Sequence, residues 1–289
     1  MTSLALAIRF ICFFAATPAT VAAEPVTLFF DLMAHGISAR CGVSLGELGR
    51  DKKVAVLRDA RFYLQDVALR NEVGNWVPLD LDENEWQSNQ VALLDFEDAT
   101  GKCAGGTADT NYVVTGMLPD GKYTGLQFTL GVPQEVNHSS SELAAPPLDL
   151  ASMSWGWQAG RKFAKIEIDP NGGIRREEGS RATTWFLHLG STGCVGNPLL
   201  GVMSCLRANR VPISLKKFDP KRQQVVLDLV SLFQESHLSE DRGGAAGCMS
   251  SPSDPECVGI FTRLGLSLSD GRPVASGKSS SVFSVKPKP

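Results

Sequence analysis

The stretch Arg61-Phe62-Tyr63-Leu64-Gln65-Asp66-Val67-Ala68-Leu69 indicates the fold class. Its alternation of apolar and polar residues is imperfect, but its enrichment in aromatic and β-branched side chains is typical of a strand. Turn signals such as Pro119-Asp120-Gly121 and Asp219-Pro220 separate it from further strand-like runs. Those runs cover residues 26–32, 91–96, 123–130, 162–168, 184–189, 211–215 and 225–229. This pattern predicts a mainly β fold, an antiparallel β-sandwich with long disulfide-clipped loops. Only residues 227–233 and the segment around 260–264 are expected to form short helices.

The N-terminus has the pattern of a secretory leader. Arg9 precedes the apolar run Phe10–Ala16, and Val21-Ala22-Ala23 places small side chains before a cut at Glu24-Pro25. The run is too short to span a bilayer, and no later stretch reaches the roughly 18 apolar residues of a transmembrane helix. We therefore predict export to the periplasm or beyond, without membrane insertion. The expected divisions are a cleaved signal peptide at 1–23, one domain at 24–275 and a flexible tail at 276–289.

The charge balance excludes one class of partner. The formal net charge is −3, and removal of Arg9 with the leader makes it about −4. Nucleic-acid-binding proteins are usually strongly basic, so we expect no nucleic-acid partner. There is also no basic amphipathic stretch of the kind that binds membrane surfaces.

Six of the seven cysteines remain once Cys12 leaves with the leader: Cys41, Cys103, Cys194, Cys205, Cys248 and Cys257. An even number in an exported chain indicates disulfides, although six cysteines allow fifteen pairings. Cys194 with Cys205, and Cys248 with Cys257, are close enough in sequence to clip short loops, which leaves the first two for each other. The alternative is a thiolate metal site, but no spacing is C-x-x-C.

Two of the four histidines stand out by position. His188 ends the apolar run at 185–187 beside a glycine-rich loop, where it could present a ring nitrogen or be a buried structural histidine. His138 lies in a turn leaving a strand, where residues often serve binding but are also often simply solvated. His237 lies in a polar patch and is expected to be exposed, and His35 is intermediate.

The segment Met153-Ser154-Trp155-Gly156-Trp157-Gln158 is unusual. In an extended strand, Trp155 and Trp157 would face the same side and stack. Such a pair suits a packed core, a binding platform or the passage of an oxidising equivalent.

No catalytic motif is present. Gly190-Ser191-Thr192-Gly193 lacks the G-x-S-x-G spacing, and there is no HExxH, P-loop or GxGxxG sequence. We therefore expect a protein that is not an enzyme. The alternatives are an exported β-sandwich interaction module without metal and, on weaker grounds, a hydrolase.

Five segments in order resemble one known family. They are 91–98, Gly131-Val132-Pro133 with Asn137-His138, residues 153–163, residues 188–194, and Gly247-Cys248-Met249-Ser250 with Asp254-Pro255-Glu256-Cys257. Together they resemble the MbnP family of periplasmic copper-binding proteins, also described as the four-Cys member of the metallo-mystery pair. The likeness runs from about residue 26 to about residue 270.

The resemblance implies copper as the cofactor and an MbnH-type dihaem protein, similar to bacterial cytochrome c peroxidases, as the partner. That partner oxidises a tryptophan to kynurenine, whose amine helps to bind copper beside histidines. His138 and His188 are the matching histidines, and imidazole suits copper. Trp155 and Trp157 are the matching tryptophans, and either could be the modified one. Trp86, just before the first segment, is a third candidate for the modification, and His35 lies where the motif has no fixed histidine. The thioethers of Met153, Met203 and Met249 are further soft donors, although a methionine is more often packing than ligand.

Overall fold

The computed structural model describes residues 22–197, 201–274 and 282–288. The expected signal peptide lies almost wholly outside the described residues, as do residues 276–281 and 289 of the expected tail and the side chain of Met203. Within the described ranges, no helix is long and apolar enough to cross a membrane.

Strands account for most of the regular structure. In chain order they are β1 Ala23–Ala34, β2 Ile37–Ser38, β3 Ser44–Leu48, β4 Lys53–Asn71, β5 Trp76–Pro78, β6 Asp80–Leu81, β7 Gln87–Ser88, β8 Val91–Asp95, β9 Val113–Pro119, β10 Tyr123–Leu130, β11 Ala164–Pro170, β12 Ile174–Arg176, β13 Arg181–Ala182, β14 Trp185–Leu189, β15 Thr192–Asn197, β16 Gly201–Arg207, β17 Val211–Leu215, β18 Gln223–Asp228, β19 Glu240–Asp241, β20 Gly247–Cys248 and β21 Phe283–Pro287. Every strand-like run of the sequence corresponds to one of these strands, so the mainly β prediction is confirmed.

The helices are short. They are α1 Gln134–Asn137, α2 Leu229–Phe233, α3 Cys257–Leu264 and a 3-10 turn at Ala151–Met153. Both segments predicted as helical are confirmed, in α2 and α3. Asp228 caps α2 by accepting a hydrogen bond from the Val230 amide. Gly265 ends α3 with a left-handed φ of 73°.

Two main sheets face each other. One has the order β21-β18-β1-β9-β6, with β2 added on β1, and the other has the order β17-β10-β4-β11-β14-β20, with β3, β5 and β8 added on β4 and β7 on β8. Phe283 of the first sheet meets Phe128 and Phe62 of the second edge-on, with ring centroids 5.3 and 6.2 Å apart. These contacts close a sandwich core, since edge-to-face pairs are a favoured aromatic arrangement.

The strand β4 explains the imperfect alternation of the sequence that it contains. Residues 59–65 are buried without interruption, so both faces of the strand are covered. Asp66 then takes a positive φ of 54°, and the pairing with β10 shifts register beside it. A bulge of this kind reverses the inside–outside pattern, so a strict period of two is lost over the whole run.

Two expectations about the sheets and the tail were wrong. Both sheets are mixed and not purely antiparallel, because β1 pairs in parallel with β18 and β14 pairs in parallel with β20. The tail expected to be flexible over 276–289 contains β21, which pairs antiparallel with β18 and buries Phe283. The segment at β21 is therefore ordered by its pairing with β18 and by the burial of Phe283 in the core.

The three disulfides join Cys41 to Cys103, Cys194 to Cys205 and Cys248 to Cys257. These are the predicted pairs: two were favoured by their short sequence separations, and Cys41 with Cys103 was the pair that remained. Disulfides form and persist in oxidising compartments, so they fit an exported protein.

Candidate metal centre

His188 has one ring nitrogen anchored and the other without a partner. It is buried on β14 beside β11, and its Nε2 lies 2.8 Å from Oε1 of Glu167. Its Nδ1 is buried and has no hydrogen-bond partner within the part of the chain that the structure describes. Burial lowers the pKa of His188, and the bond to Glu167 only partly opposes this. The ring is therefore neutral near pH 7, with Nε2–H donated to Glu167 and a lone pair on Nδ1.

Glu167 belongs to a buried charged network on the same sheet. Burial alone would raise the pKa of Glu167, but the hydrogen bond from His188 and the charge of Lys165 outweigh it and lower that pKa. Lys165 lies 3.3 Å from Glu167 and also pairs with Asp59, which in turn holds Arg61. The carboxylate that orients the imidazole is thus kept ionised.

The register places ionisable residues in a row across four neighbouring strands. His188 of β14 stands opposite Lys165 of β11, Lys165 opposite Arg61 of β4, and Arg61 opposite Asp95 of β8. Glu97, fully buried, closes the row 3.6 Å from Arg61. Buried charges need such partners, so the network fixes one arrangement of side chains behind His188.

Trp155 lies beside His188, with ring centroids 6.4 Å apart. Its indole packs over Gly190, where a Cβ atom would lie 2.4 Å from Cζ3 of the ring. The expectation that Trp155 and Trp157 stack on one face of a strand was wrong. The amide of Trp155 bonds to the carbonyl of Gly160, and the intervening residues form a turn that leaves the Trp157 side chain 44% exposed.

His138 follows α1 and lies close to a disulfide. Its Nδ1 is 3.2 Å from the carbonyl oxygen of Trp157, so Nδ1 donates and Nε2 accepts. Nε2 is 2.9 Å from the amide nitrogen of Asn137 and 3.4 Å from Sγ of Cys205. The His138 nitrogen and the Sγ atoms of Cys194 and Cys205 all lie within 4.8 Å of one another. Burial lowers the pKa of His138, which favours its neutral form.

Trp155 lines two openings. One has a volume of about 470 Å³ and is lined by Trp155, Gln158, Ala159, Ser191, Thr192, Gly193, Cys194 and Met249. The other, of about 290 Å³, is also lined by Trp155, together with Asn137, Trp157 and Gly160 among others. Trp155 thus touches the surroundings of both imidazoles, while no hydrogen bond or ring contact joins the two imidazoles among the described residues.

Of the remaining ligand and tryptophan candidates from the sequence, only some lie near Trp155. Met249 lines the larger of these openings, whereas Met153 is fully buried under the 3-10 turn. His35 is exposed and contacts the Glu47 carbonyl of β3 through Nε2 at 2.8 Å. Trp86 packs against the core from its edge, and His237 accepts a hydrogen bond from Trp185 through its carbonyl. Among the described residues, His35 thus contacts β3 and not the residues around Trp155.

Three residues organise this region in roles that the sequence did not predict. Glu167 carries no motif, and its role depends on the β11–β14 pairing, which places residue 188 beside 165 and within reach of 167. Asn137 accepts from the Arg161 amide and donates to His138. Ser250 accepts from the Gly190 amide and donates to the His188 carbonyl, so the β20 loop fixes the end of β14.

The donor set fits a copper ion. A histidine that ligates a metal almost always donates its other ring N–H to a carboxylate or a carbonyl, which fixes the tautomer. His188 does so to Glu167 and His138 to the Trp157 carbonyl. Neutral imidazole is a preferred ligand of copper, and a thioether such as that of Met249 suits Cu(I). The Nδ1 of His188 has no partner among the described residues and would gain from a ligand, because a buried unpaired acceptor is costly.

Fold and site together define a disulfide-bonded β-sandwich protein with a candidate histidine metal centre. The MbnP family model matches residues 23–250. Among solved structures, MbnP from Methylosinus trichosporium is 42% identical, with a TM-score of 0.84 over 92% of this chain and 99% of that chain. A search of curated proteins found no match. The chain belongs to the MbnP family.

Proposed function

We propose that this protein binds copper in the periplasm and is itself the substrate of a dihaem partner, and not an enzyme. The observation that carries the proposal is the buried Nδ1 of His188, which has no hydrogen-bond partner among the described residues, on a ring whose centroid lies 6.4 Å from that of Trp155. Family membership supports a role in copper acquisition or handling. The disulfides and the expected leader support an exported location.

In this proposal His188 is the principal ligand and His138 the second. The partner, an MbnH-type protein similar to cytochrome c peroxidases, oxidises one tryptophan to kynurenine. We assign the modification to Trp155, because its ring lies against His188 while Trp157 offers His138 only its carbonyl. The aromatic amine of kynurenine would add a nitrogen donor beside His188, and such donors suit copper.

Metal binding is tested by equilibrium dialysis with Cu(I) and with Cu(II), using protein produced together with its partner. We expect one tightly bound copper per chain in the wild type and loss of that copper in His188→Ala. His35→Ala is the matched control, since His35 is exposed and contacts β3. Retention of wild-type affinity by both His188→Ala and His138→Ala would refute the ligand assignment.

The modification is tested by peptide mass mapping of protein made with and without the partner. We expect the mass of kynurenine on the peptide that holds both tryptophans, and only in the presence of the partner. Trp155→Phe should abolish the change and Trp157→Phe should leave it. The opposite pattern would move the modification to Trp157 and remove the role given to the Trp155–His188 contact.

A further inference from the structure

The Cys194–Cys205 disulfide is more accessible than the other two. Cys194 and Cys205 are half-buried on the β15–β16 ribbon, where Val195 and Leu206 beside them are 57% and 75% exposed. The other four paired cysteines are buried in the core. A dithiol reductant can therefore reach this disulfide before the others, since the rate of thiol–disulfide exchange depends on access.

The ribbon would keep the two sulfurs together after reduction. Cys194 and Cys205 are direct partners in the β15–β16 register, so both side chains leave the same face. Ser191 donates to the Ala208 carbonyl at the base of the ribbon. Gln158 donates to the Cys194 carbonyl, which ties the ribbon to the tryptophan segment. Opening the S–S bond breaks none of these contacts.

A nitrogen donor already faces the two sulfurs. The Nδ1–H of His138 is held by the Trp157 carbonyl, and its Nε2 lone pair points to the side where Cys205 Sγ lies 3.4 Å away. Asn137 also donates to this nitrogen, so a metal ion would replace one neutral hydrogen bond worth about 1 kcal/mol. Asn137 would remain held through its Oδ1, which accepts from the Arg161 amide.

We propose that reduction of the Cys194–Cys205 disulfide creates a second metal site, in which the two thiolates and Nε2 of His138 bind one Cu(I) ion. The dithiol reductant gives two electrons and two protons, its sulfurs form a new disulfide, and the Cys194–Cys205 bond becomes two thiols. Binding of Cu(I) then releases both thiol protons. Two soft thiolates and an imidazole match the preference of Cu(I), and the three atoms already lie within 4.8 Å of one another.

This site goes beyond the proposed function because it exists only in the reduced chain and needs neither His188 nor a modified tryptophan. It shares His138 with the proposed function, so the redox state of the disulfide and the two cysteines, and not the His138 variant, keep the two tests apart. Failure of the proposed function would leave the oxidised chain without copper, while failure of the present proposal would leave reduction without effect on copper binding.

The test uses the full mature chain made without the partner, reduced mildly with dithiothreitol. Alkylation and peptide mapping should find free thiols at Cys194 and Cys205 before any other cysteine. Competition against a chromophoric Cu(I) chelator should then show one more Cu(I) per chain than in the oxidised protein. Bound Cu(I) should protect both cysteines from a second alkylation, a measurement that needs no variant.

Two variants locate the ligands. The double variant Cys194→Ser and Cys205→Ser should lose the added Cu(I), and His138→Ala should weaken it by at least about tenfold. His35→Ala should bind as the wild type does. The proposal is overturned if a buried disulfide opens first, if reduction adds no Cu(I), or if Cu(I) leaves the two thiols open to alkylation. Undiminished Cu(I) binding by reduced His138→Ala would also overturn it.

Discussion

At the scale of single residues, Glu167 decides which nitrogen of His188 carries the proton. Because Glu167 accepts from Nε2–H, the lone pair stays on Nδ1 of a ring that lies beside Trp155. The sequence indicated His188 as a candidate by its place beside a glycine-rich loop, but it could not indicate Glu167. That pairing depends on strand register and on the charge of Lys165, and neither has a local signature.

Glu167→Gln should weaken copper binding roughly ten- to hundredfold, as is usual when a residue that orients a metal-binding histidine is changed. Dialysis of the variant produced with the partner measures this. Nitrogen NMR of His188 should also show a mixture of tautomers, which a merely structural defect would not produce. Glu178→Gln, an exposed control, should leave both unchanged. Wild-type affinity in Glu167→Gln would mean that Glu167 does not position the ligand.

Gly190→Ala should reduce the conversion of Trp155, because the new Cβ would lie 2.4 Å from the indole and 2.8 Å from the Arg161 carbonyl. The indole can move only away from its present place beside His188. The kynurenine yield by peptide mapping is the measurement. Gly121→Ala is the control, since no atom lies within 4 Å of its added Cβ. An unchanged kynurenine yield in Gly190→Ala would show that the modification does not depend on the packing of Trp155 against Gly190.

At the scale of elements, the strands were predictable and their pairing was only partly so. Runs such as 123–130 and 211–215 have the bounds of β10 and β17, because apolar residues alternate between clear turns. The parallel pairings of β1 with β18 and β14 with β20 join segments distant in sequence, where no turn sets the register. The stacking of Trp155 and Trp157 was predicted wrongly because a turn, closed by the bond from the Trp155 amide to the Gly160 carbonyl, replaces the strand that their spacing suggested.

Phe283→Ala should lower the free energy of unfolding by about 3–5 kcal/mol, the usual cost of removing a buried phenylalanine. The side chain is 5% exposed and contacts Phe62 and Phe128 across the core. Urea unfolding at equilibrium gives the value. Ser284→Ala, at the next and exposed position of the same strand, should change it little. A loss below about 1 kcal/mol would show that β21 is not needed for the sandwich.

At the scale of the whole molecule, the sandwich brings together groups that lie far apart in the chain. The disulfides and the mainly β architecture could be predicted from composition and spacing, because they depend on residue type more than on contacts. Cys194 and Met249 line an opening together with Trp155, and His138 lies against Cys205, so this region depends on contacts between segments far apart in the chain. For this reason the sequence indicated each histidine as a candidate but not the residues that contact it.

Asp95, in the row of ionisable residues across the second sheet, should make the free energy of unfolding fall as pH rises. Burial raises the pKa of Asp95 from 3.8 to about 8, although the charge of Arg61 opposes this. A folded-state pKa above the unfolded one gives stability that is complete below the unfolded pKa and is lost as pH rises through the folded pKa. The loss should approach about 1.4 kcal/mol per pH unit between pH 4 and 8 for this one group.

Asp95→Asn removes this titration and should therefore gain stability relative to the wild type as pH rises. Urea unfolding at about pH 5.5 and about pH 8 measures the change for each protein. Asp120→Asn, in an exposed turn, is the control and should follow the wild type. A wild type and an Asp95→Asn variant with parallel pH profiles would exclude a protonated Asp95 in the folded chain.

Trp155 lines two separate hollows, which has a consequence for the order of events under the proposed function. One hollow is also lined by Met249 and Cys194, and the other by Asn137 and Trp157. A partner docked over one hollow would leave the other free for the copper ion, so the oxidation of Trp155 and the entry of copper need not compete for one opening.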